Sequence, residues 1–419
     1  MNTYSSYKDS GVEWIGDIPS EWDSLKLKYI FSEKPITHNT ELNCGSISFG
    51  RVVFKDNDKV PISTKKSYQE VLEGEYLINP LNLNYDLKSL RIGLSDIDVV
   101  VSSGYIVIKN RIEISKSYYK WLLHIYDILH MKLLGSGVRQ TISFNHISNS
   151  ILTYPPLHEQ QQISDYLDYK TLKIDTLIKK TQQKIELLKE QRISLINTTV
   201  TKGLNPNVEM KDSGIEWIGE IPSGWNVTKL KYTCNITYGI SPPDTTYNDK
   251  GRGEILINGP VEYSKEDFGY TRSTKWTTDP KKFTEKGSLL FCLRGSTTGR
   301  MNITHDYVSI GRGVCSIISK ESQWFMIYSM FIVRDYIQGE ITGSTFPSVT
   351  KDDVDNYFIC TPPQQEQQQI VDYLDKETTK IDKLIDTETK RINLLKEYRQ
   401  SLVSDIVTGK VDVRDEVLV

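Results

Sequence analysis

A long stretch of this sequence occurs twice, and the duplication constrains the fold more than any other feature. Residues 155–201 align with residues 362–408 at 27 of 47 identical positions. Each copy begins with two prolines, continues through Glu-Gln-Gln-Gln-Ile, and then runs to its end without another proline or a glycine. Because a fold is misread when an internal repeat is overlooked, both copies are expected to form the same structural element.

A second, shorter repeat precedes each copy. Residues 8–29 and 211–232 are identical at 16 of 22 positions, and both contain Lys-Asp-Ser-Gly, Glu-Trp-Ile-Gly and Ile-Pro-Ser. Gly, Pro and Asp at this density predict an ordered loop with short extended pieces. We expect simple packing on a core to be the role of the repeated tryptophans, which are Trp14, Trp22, Trp217 and Trp225.

The longer repeat predicts two long helices. Apolar residues recur every seven positions, with a second row four residues later, among lysines and glutamates. The residues of this stripe are Ile174, Ile178, Ile185, Leu188 and Leu195 in the first copy, and Ile381, Ile385, Ile392, Leu395 and Leu402 in the second. Because neither helix can bury its own stripe, we expect the two to pack on each other as an antiparallel coiled coil. An isolated helix that binds a partner is the alternative.

Polar residues interrupt the stripe at Thr181, Arg192, Glu388 and Arg399. They are expected either to face partner proteins or to form solvated edges of the seam. Asn205-Pro206-Asn207 is expected to stop the first helix. A helix of about 38 residues spans about 57 Å, so the pair is expected to be a rigid spacer with a globular unit near each end.

The segments between the repeats, 30–150 and 225–358, do not resemble each other closely. Each contains extended patterns followed by a helical one, so both are predicted to be α+β units. The extended patterns are 46–54, 75–78 and 99–109 in the first segment and 254–257, 288–293 and 307–318 in the second; the helical patterns are 116–134 and 322–337. The fold class is therefore α+β, with two such units joined by two long antiparallel helices in a pseudo-two-fold arrangement.

Composition restricts the class of protein further. The chain has 38% hydrophobic and 25% charged residues and contains no apolar run of the length that a membrane span requires. Its N-terminus has no signal-peptide pattern. Five scattered cysteines are typical of reduced thiols, so we expect a cytoplasmic location. The net charge of −3 argues weakly against a partner held by bulk positive charge, although the local distribution of charge matters more.

Catalytic patterns are missing from the sequence. Its six histidines have no metal-type spacing, and neither a nucleophile elbow nor a phosphate-binding loop occurs. Asn79-Pro80-Leu81-Asn82 resembles an adenine methyltransferase loop but lacks its second proline and its aromatic residue. We therefore predict no catalytic residue, no metal and no cofactor in this chain, and a binding function instead.

Two different units on a rigid spacer suit a long polymer with two separated sites, such as duplex DNA. Arg, Lys, Asn and Gln read base edges, while Ser, Thr, Tyr and Lys hold phosphates. The DNA-binding candidates are Arg139, Gln140 and Thr141 in the first unit, and Tyr238, Arg252, Arg294, Ser296, Thr297, Thr298 and Arg300 in the second. For each of them, support of the fold or an ordinary surface position is the alternative role.

At this point the chain resembles the specificity subunit of type I restriction-modification systems over essentially its whole length. The resemblance is carried by Lys8–Ser20 with Trp22, by Lys211–Ser223 with Trp225, and by the two Pro-Pro-x-x-Glu-Gln-Gln-Gln-Ile entrances. In the second unit, 286–290 and 294–300 resemble the family's Gly-Asp-Ile-Leu and Gly-Ser-x-x-Gly patterns. The first unit departs from this, since 73–79 fits but no Gly-Ser-x-x-Gly-Arg follows.

The resemblance implies a non-catalytic subunit whose two target-recognition domains each read one half of a bipartite, asymmetric site on double-stranded DNA. Its helices would set the spacer and recruit two modification (methyltransferase) subunits, with restriction/translocase subunits joining them. S-adenosylmethionine, ATP and Mg²⁺ are expected on those partners. The implied domains are 1–154 (first target-recognition domain), 155–204 (first spacer helix), 205–361 (second target-recognition domain) and 362–419 (second spacer helix and C-terminal tail).

Two other functions remain as alternatives. The chain could be an inert scaffold whose two units bind proteins, or an enzyme with an unrecognised site. Salt dependence separates DNA binding from protein binding, because counterion release weakens DNA binding steeply as salt rises. The enzyme hypothesis requires activity from the purified chain alone.

Overall fold

In the computed structural model the chain folds into two units, the first made of residues 1–182 and 390–419 and the second of residues 183–389. The structure describes residues 2–48, 50–56, 60–81, 90–134, 141–266, 268–295, 297–341 and 348–416. No helix in these ranges is long and apolar enough to cross a membrane. The five cysteines are all buried free thiols.

The first unit combines short strands with helices. Its elements in chain order are β1 (Tyr7–Asp9), β2 (Asp17–Pro19), β3 (Asp23–Lys26), α1 (Leu27–Ile30), β4 (Phe31–Glu33), β5 (Gly45–Ser48), β6 (Arg51–Phe54), α2 (Ile62–Lys65), β7 (Gln69–Val71), β8 (Tyr76–Ile78), β9 (Ile92–Leu94), β10 (Val99–Val101), β11 (Ile106–Asn110), α3 (Lys116–Leu129), α4 (Phe144–Ile147), β12 (Ile151–Tyr154) and the long helix α5 (Leu157–Lys202). A 3₁₀ turn, Met131–Leu133, follows α3.

The second unit begins on the C-terminal part of α5. Its further elements are β13 (Met210–Asp212), β14 (Glu220–Pro222), β15 (Asn226–Lys229), α6 (Leu230–Thr233), β16 (Cys234–Tyr238), β17 (Tyr247–Asn248), β18 (Glu254–Ile257), β19 (Trp276–Thr277), β20 (Phe283–Thr284), β21 (Leu289–Cys292), β22 (Met301–Ile303), β23 (Val308–Ile310), β24 (Val314–Ser319), α7 (Gln323–Ile341), α8 (Lys351–Asn356), β25 (Phe358–Thr361) and the long helix α9 (Gln364–Val407). Short 3₁₀ turns, Asp244–Thr246 and Pro260–Glu262, occur between its strands. The part of α9 beyond Thr389 belongs to the first unit.

Both units share one framework. A small hairpin formed by each shorter repeat, β1–β2 in the first unit and β13–β14 in the second, is antiparallel. A second antiparallel pair, β3–β12 or β15–β25, leads into each long helix. The duplicated sequence thus forms a duplicated framework, and the α+β class agrees with the prediction.

The inserted sheets differ between the units. The first unit has a six-stranded sheet of order β4-β11-β8-β9-β6-β5, while the second has a four-stranded sheet β16-β24-β21-β22 and a five-stranded sheet β17-β19-β18-β23-β20. Apolar residues of these sheets pack against α3 in one unit and α7 in the other. Different sheets on one framework follow from the dissimilar sequences of 30–150 and 225–358.

The long helices exceed the predicted length of about 38 residues: α5 has 46 and α9 has 44. The expectation that Asn205-Pro206-Asn207 stops the first helix was wrong by one turn. Helix α5 ends at Lys202, and Gly203 follows with a φ of 73°. Glycine reaches this left-handed conformation without strain and so ends a helix. Gly409, with a φ of 77°, follows α9 in the same way.

Candidate nucleic-acid interface

One side-chain hydrogen bond joins the two repeated motifs in each unit. The indole N–H of Trp22 donates to Glu159 Oε2 at 2.8 Å, and that of Trp225 donates to Glu366 Oε2 at 2.9 Å. Both tryptophans are buried. The glutamate of the Pro-Pro-x-x-Glu-Gln entrance is therefore a hydrogen-bond acceptor for the shorter repeat. This gives these two tryptophans a role beyond the simple packing that the sequence predicted.

The glutamine that follows each of these glutamates forms a hydrogen bond with the first proline of the motif, at the start of the long helix. Gln160 Nε2 donates to the carbonyl of Pro155 at 2.9 Å, and Gln367 Nε2 donates to that of Pro362 at 3.0 Å. Gln160 Oε1 also accepts from the backbone N–H of Ser115, the residue before α3, at 2.9 Å. The repeated motif thus fixes the start of the long helix and, in the first unit, the start of α3.

The long helices run antiparallel within each unit, and ion pairs mark their register. In the second unit Arg192 Nε lies 2.9 Å from Asp382 Oδ1, and Lys184 Nζ lies 2.5 Å from Glu388 Oε1. The partner's residue number on α9 falls from 388 to 382 as the number on α5 rises from 184 to 192, as expected for antiparallel helices.

The first unit repeats one of these ion pairs. Arg399 Nε lies 2.9 Å from Asp175 Oδ1. Arg399 and Asp175 occupy the positions in their helices that correspond to Arg192 and Asp382, since the two copies of the long repeat are offset by 207 residues. The duplication therefore extends to the contact between the helices. Both arginines are half-buried and form an ion pair with the opposite helix.

The predicted apolar stripe lies in the seam. Of its ten residues, Ile174, Ile185, Ile381, Ile392 and Leu402 are buried, and Ile178, Leu188, Leu195, Ile385 and Leu395 are half-buried. Thr181 and Glu388, which interrupt the stripe, are buried as well.

A basic cleft opens beside the four-stranded sheet of the second unit. It has a volume of about 660 Å³, and its lining includes Tyr238, Arg294, Arg312 and Lys351. The two arginines and the lysine are exposed. No carboxylate belongs to the described residues that line the cleft. Three cations therefore line the cleft, as suits a phosphate backbone, and Asp355 lies next to it as the hydrogen-bond partner of Tyr238.

Tyr238 supports the cleft rather than reaching out of it. Its hydroxyl donates to Asp355 Oδ1 at 2.7 Å and lies 3.0 Å from the carbonyl oxygen of Lys351. Burial, helped by the hydrogen bond to Asp355, raises the pKa of Tyr238 well above its ordinary value, so the hydroxyl stays protonated. The Lys351 ammonium lies 5.2 Å from the Tyr238 ring centroid, where the ring quadrupole attracts it.

Arg294 is fixed at one edge of the cleft. Its backbone forms an isolated antiparallel bridge with Ser348, and Val349 N–H donates to the Leu293 carbonyl at 2.9 Å. This backbone pairing leaves the guanidinium exposed beside Lys351.

The other candidates of the second unit have different surroundings. Arg300 is half-buried, donates to the Ser264 carbonyl and stacks over Tyr263, so it holds a loop instead of facing solvent. Thr298 is buried and donates to the Gly295 carbonyl at 2.8 Å, and Thr297 is half-buried. Arg252 is exposed on the turn between β17 and β18, outside the cleft lining. Of the candidates that the structure describes in this unit, Tyr238 and Arg294 line the cleft.

Three candidates lie outside the described residues: Arg139, Gln140 and Ser296. Thr141, the remaining candidate of the first unit, is exposed.

The sequence did not identify Arg312 or Lys351 as candidates. Gly311-Arg312-Gly313 was visible, but a tripeptide of this kind has no predictive value until its surroundings are known. Lys351 stands 57 residues beyond Arg294, and backbone pairing between residues 293–294 and 348–349 brings the two segments together.

Comparison with known proteins identifies the family. The model of the type I restriction modification DNA specificity domain matches residues 19–187 and again residues 222–397. This chain belongs to that family. The two matches also reproduce the internal duplication, and they make the chain a specificity subunit, the non-catalytic DNA-recognition component of type I restriction-modification complexes.

Curated relatives match this chain along almost its whole length. A protein of Methanocaldococcus jannaschii assigned as the specificity subunit of type I restriction enzyme MjaX is 26% identical over 428 residues, covering 96% of each chain. The MjaVIII specificity subunit of the same organism is 22% identical over 421 residues, covering 95% of each chain.

Two solved structures share the fold. One, from work on complex assembly and conformational transition of the type I restriction-modification system, has a TM-score of 0.69 and 19% identity, covering 94% of this chain and 99% of its own. The other is the HsdS subunit from Thermoanaerobacter tengcongensis, with a TM-score of 0.54 and 20% identity, covering 94% and 98%. They support the α+β architecture with two recognition domains and long helices.

Proposed function

We propose that this specificity subunit reads a bipartite, asymmetric site on double-stranded DNA, with one target-recognition domain for each half. The domains would be 1–154 and 205–361, and the helices of 155–204 and 362–419 would set the spacer. Two modification subunits would dock on this subunit and methylate adenine with S-adenosylmethionine, in the cytoplasm. Restriction/translocase subunits would add cleavage that depends on ATP and Mg²⁺.

The observation that carries this proposal is the basic cleft of the second unit. Arg294, Arg312 and Lys351 surround a groove without a lining carboxylate, although the whole chain has a net charge of −3. Positive charge concentrated in one groove is the electrostatic feature expected of a DNA-binding surface. Lys351 provides a point charge for a phosphate, and the arginines provide planar donors for phosphates or bases.

The asymmetry of the DNA site would follow from the difference between the sheets of the first unit and those of the second. The six-stranded sheet of one unit and the four- and five-stranded sheets of the other present different side chains on a shared framework. Two readers of different structure would recognise two different half-sites.

Salt-dependent binding tests the cleft. The full complex with its modification subunits is titrated with duplex DNA that carries its site, between about 50 and 200 mM salt. Lys351→Ala is expected to weaken binding and to reduce the slope of log K against log salt by about 1. Lys281→Ala is the matched control, because Lys281 already pairs with Asp279 at 2.7 Å and lies outside the cleft. If the affinity for DNA changed neither with salt concentration nor with the Lys351 substitution, the result would instead favour a scaffold whose units bind proteins.

A further inference from the structure

The turn that carries Arg312 is unusually constrained. It joins β23 to β24, and its backbone is bonded on both sides of the arginine. Gly311 N–H donates to the Ile257 carbonyl at 2.9 Å, and Leu293 N–H donates to the Gly313 carbonyl at 2.9 Å. Arg312 N–H donates to Ser241 Oγ at 3.1 Å, and Ser241 Oγ donates in turn to Asn258 Oδ1 at 2.9 Å. Three separate segments, at Ser241, Ile257–Asn258 and Leu293, therefore fix one short turn.

Close backbone approach explains the glycines of this turn. A Cβ on Gly311 would overlap Asn258 Oδ1, and a Cβ on Gly313 would come within 2.6 Å of the Asn258 carbonyl oxygen. A Cβ on Gly239, on the neighbouring segment, would overlap the Gly311 carbonyl. Only glycine allows backbones to meet this closely. The turn can therefore neither shift toward its neighbours nor carry side chains beside Arg312.

The Arg312 side chain contrasts with its backbone. It is exposed at the cleft, and within the part of the chain that the structure describes no ion pair or side-chain hydrogen bond occupies its guanidinium. Arg300, by comparison, is committed to Ser264. The backbone of the turn is therefore held in place, while the donors of the guanidinium remain available for a base edge.

From this geometry we propose that Arg312 reads a guanine in the half-site of the second unit; the proposal rests on the proposed function and deepens it. The planar guanidinium donates two parallel hydrogen bonds to guanine O6 and N7 in the major groove, a pattern that no other base pair presents. Lys351 lies on the same cleft and contacts the phosphate backbone, which carries no sequence information.

Mapping of modified adenines across a genome tests this assignment. This chain is co-expressed with its modification subunits in a methylation-free host, as wild type and as Arg312→Ala, Arg312→Lys, Lys351→Ala and Lys281→Ala. Wild type gives a two-part motif with at least one guanine in the half read by the second unit. Arg312→Ala relaxes one guanine position in only one half, with discrimination there falling about 5- to 150-fold.

The other variants separate base reading from charge. Arg312→Lys keeps the charge but loses the planar fork, so it relaxes the same position. Lys351→Ala lowers methylation at all sites and leaves the motif intact, while Lys281→Ala matches wild type. An unchanged motif with uniformly lower methylation in both Arg312 variants would make Arg312 a phosphate contact and overturn the proposal.

Two further outcomes also decide the question. If both Arg312 variants form a stable complex that methylates nothing, the proposal is wrong, because one lost base contact relaxes one position. If the wild-type complex yields no two-part motif, the proposed function fails and the Arg312 assignment fails with it. The wild-type result therefore distinguishes the two failures.

Discussion

The paired tryptophan and glutamate show how single residues tie this fold together. Trp22 and Glu159 are 137 residues apart, and Trp225 and Glu366 are 141 apart, yet each pair forms one hydrogen bond inside its unit. Both motifs are visible in the sequence as repeats. Their contact is not, because a repeat reveals which residues recur and not which of them meet.

Glu366→Ala is expected to destabilise the second unit by about 1–3 kcal/mol, because the buried indole N–H of Trp225 loses its acceptor. Thermal unfolding of the full chain measures this, and hydrogen exchange at Asn226–Lys229 locates it. Gln365→Ala is the control, since Gln365 is exposed on the same helical turn. Glu366→Gln keeps an acceptor oxygen and is expected to cost less. Equal melting temperatures for Glu366→Ala and the control would contradict the proposed role of this bond.

Side-chain direction limited the prediction of DNA-contacting residues. Arg300 and Tyr238 have the right chemistry for DNA, but their polar atoms bond to Ser264 and Asp355 within the unit. Arg312 stands in Gly-Arg-Gly, which carries no signal by itself. Its meaning depends on Gly239 and Asn258, which lie 73 and 54 residues before it. Residue type can be read from a sequence, but the surroundings that free or occupy a side chain cannot.

Among the elements, the long helices were the most predictable. Their heptad pattern is local, and the duplication required both copies to adopt one structure. Buried stripe residues and the ion pairs Arg192–Asp382 and Arg399–Asp175 are what an antiparallel pair of two such helices needs. The helix end at Gly203 was misjudged because Pro206 is the more conspicuous helix breaker, although the left-handed glycine acts first.

Lengthening the long helices tests whether they set the distance between the two half-sites. Seven residues inserted after Gln182 alone shift one stripe past the other and break the register of the ion pairs, so assembly or methylation is expected to fail. Seven residues inserted after both Gln182 and Thr389, which are equivalent positions of the repeat, keep the two helices matched. The doubly extended chain is expected to recognise its half-sites with a spacer longer by about 10 Å, or about three base pairs.

Mapping of modified adenines compares the two insertions directly. An unchanged spacer in the doubly extended chain, with methylation retained, would show that the helices do not set the distance between half-sites. Full activity of the singly extended chain would contradict the matched register.

At the scale of the whole molecule, the same framework carries one inserted sheet in the first unit and two different sheets in the second. The duplicated motifs predicted two units of the same kind, and short runs of apolar residues located strands such as β8, β18 and β21. The strand order could not be predicted, because it depends on pairing between distant segments, such as the parallel contact between β18 and β23. The sequence predicted a difference between the two units only through the dissimilar residues of 30–150 and 225–358, and it did not predict that their sheets would differ in number and strand order.

The asymmetry of the sheets leads to the central claim, which is that two unlike readers on one spacer recognise two unlike half-sites. The most direct measurement is the genome-wide map of modified adenines in a methylation-free host that expresses this chain with its modification subunits. A single motif with two different halves, separated by a gap of fixed length, is the predicted result. A motif with one half, a symmetric motif, or no methylation from a stably assembled complex would contradict the claim.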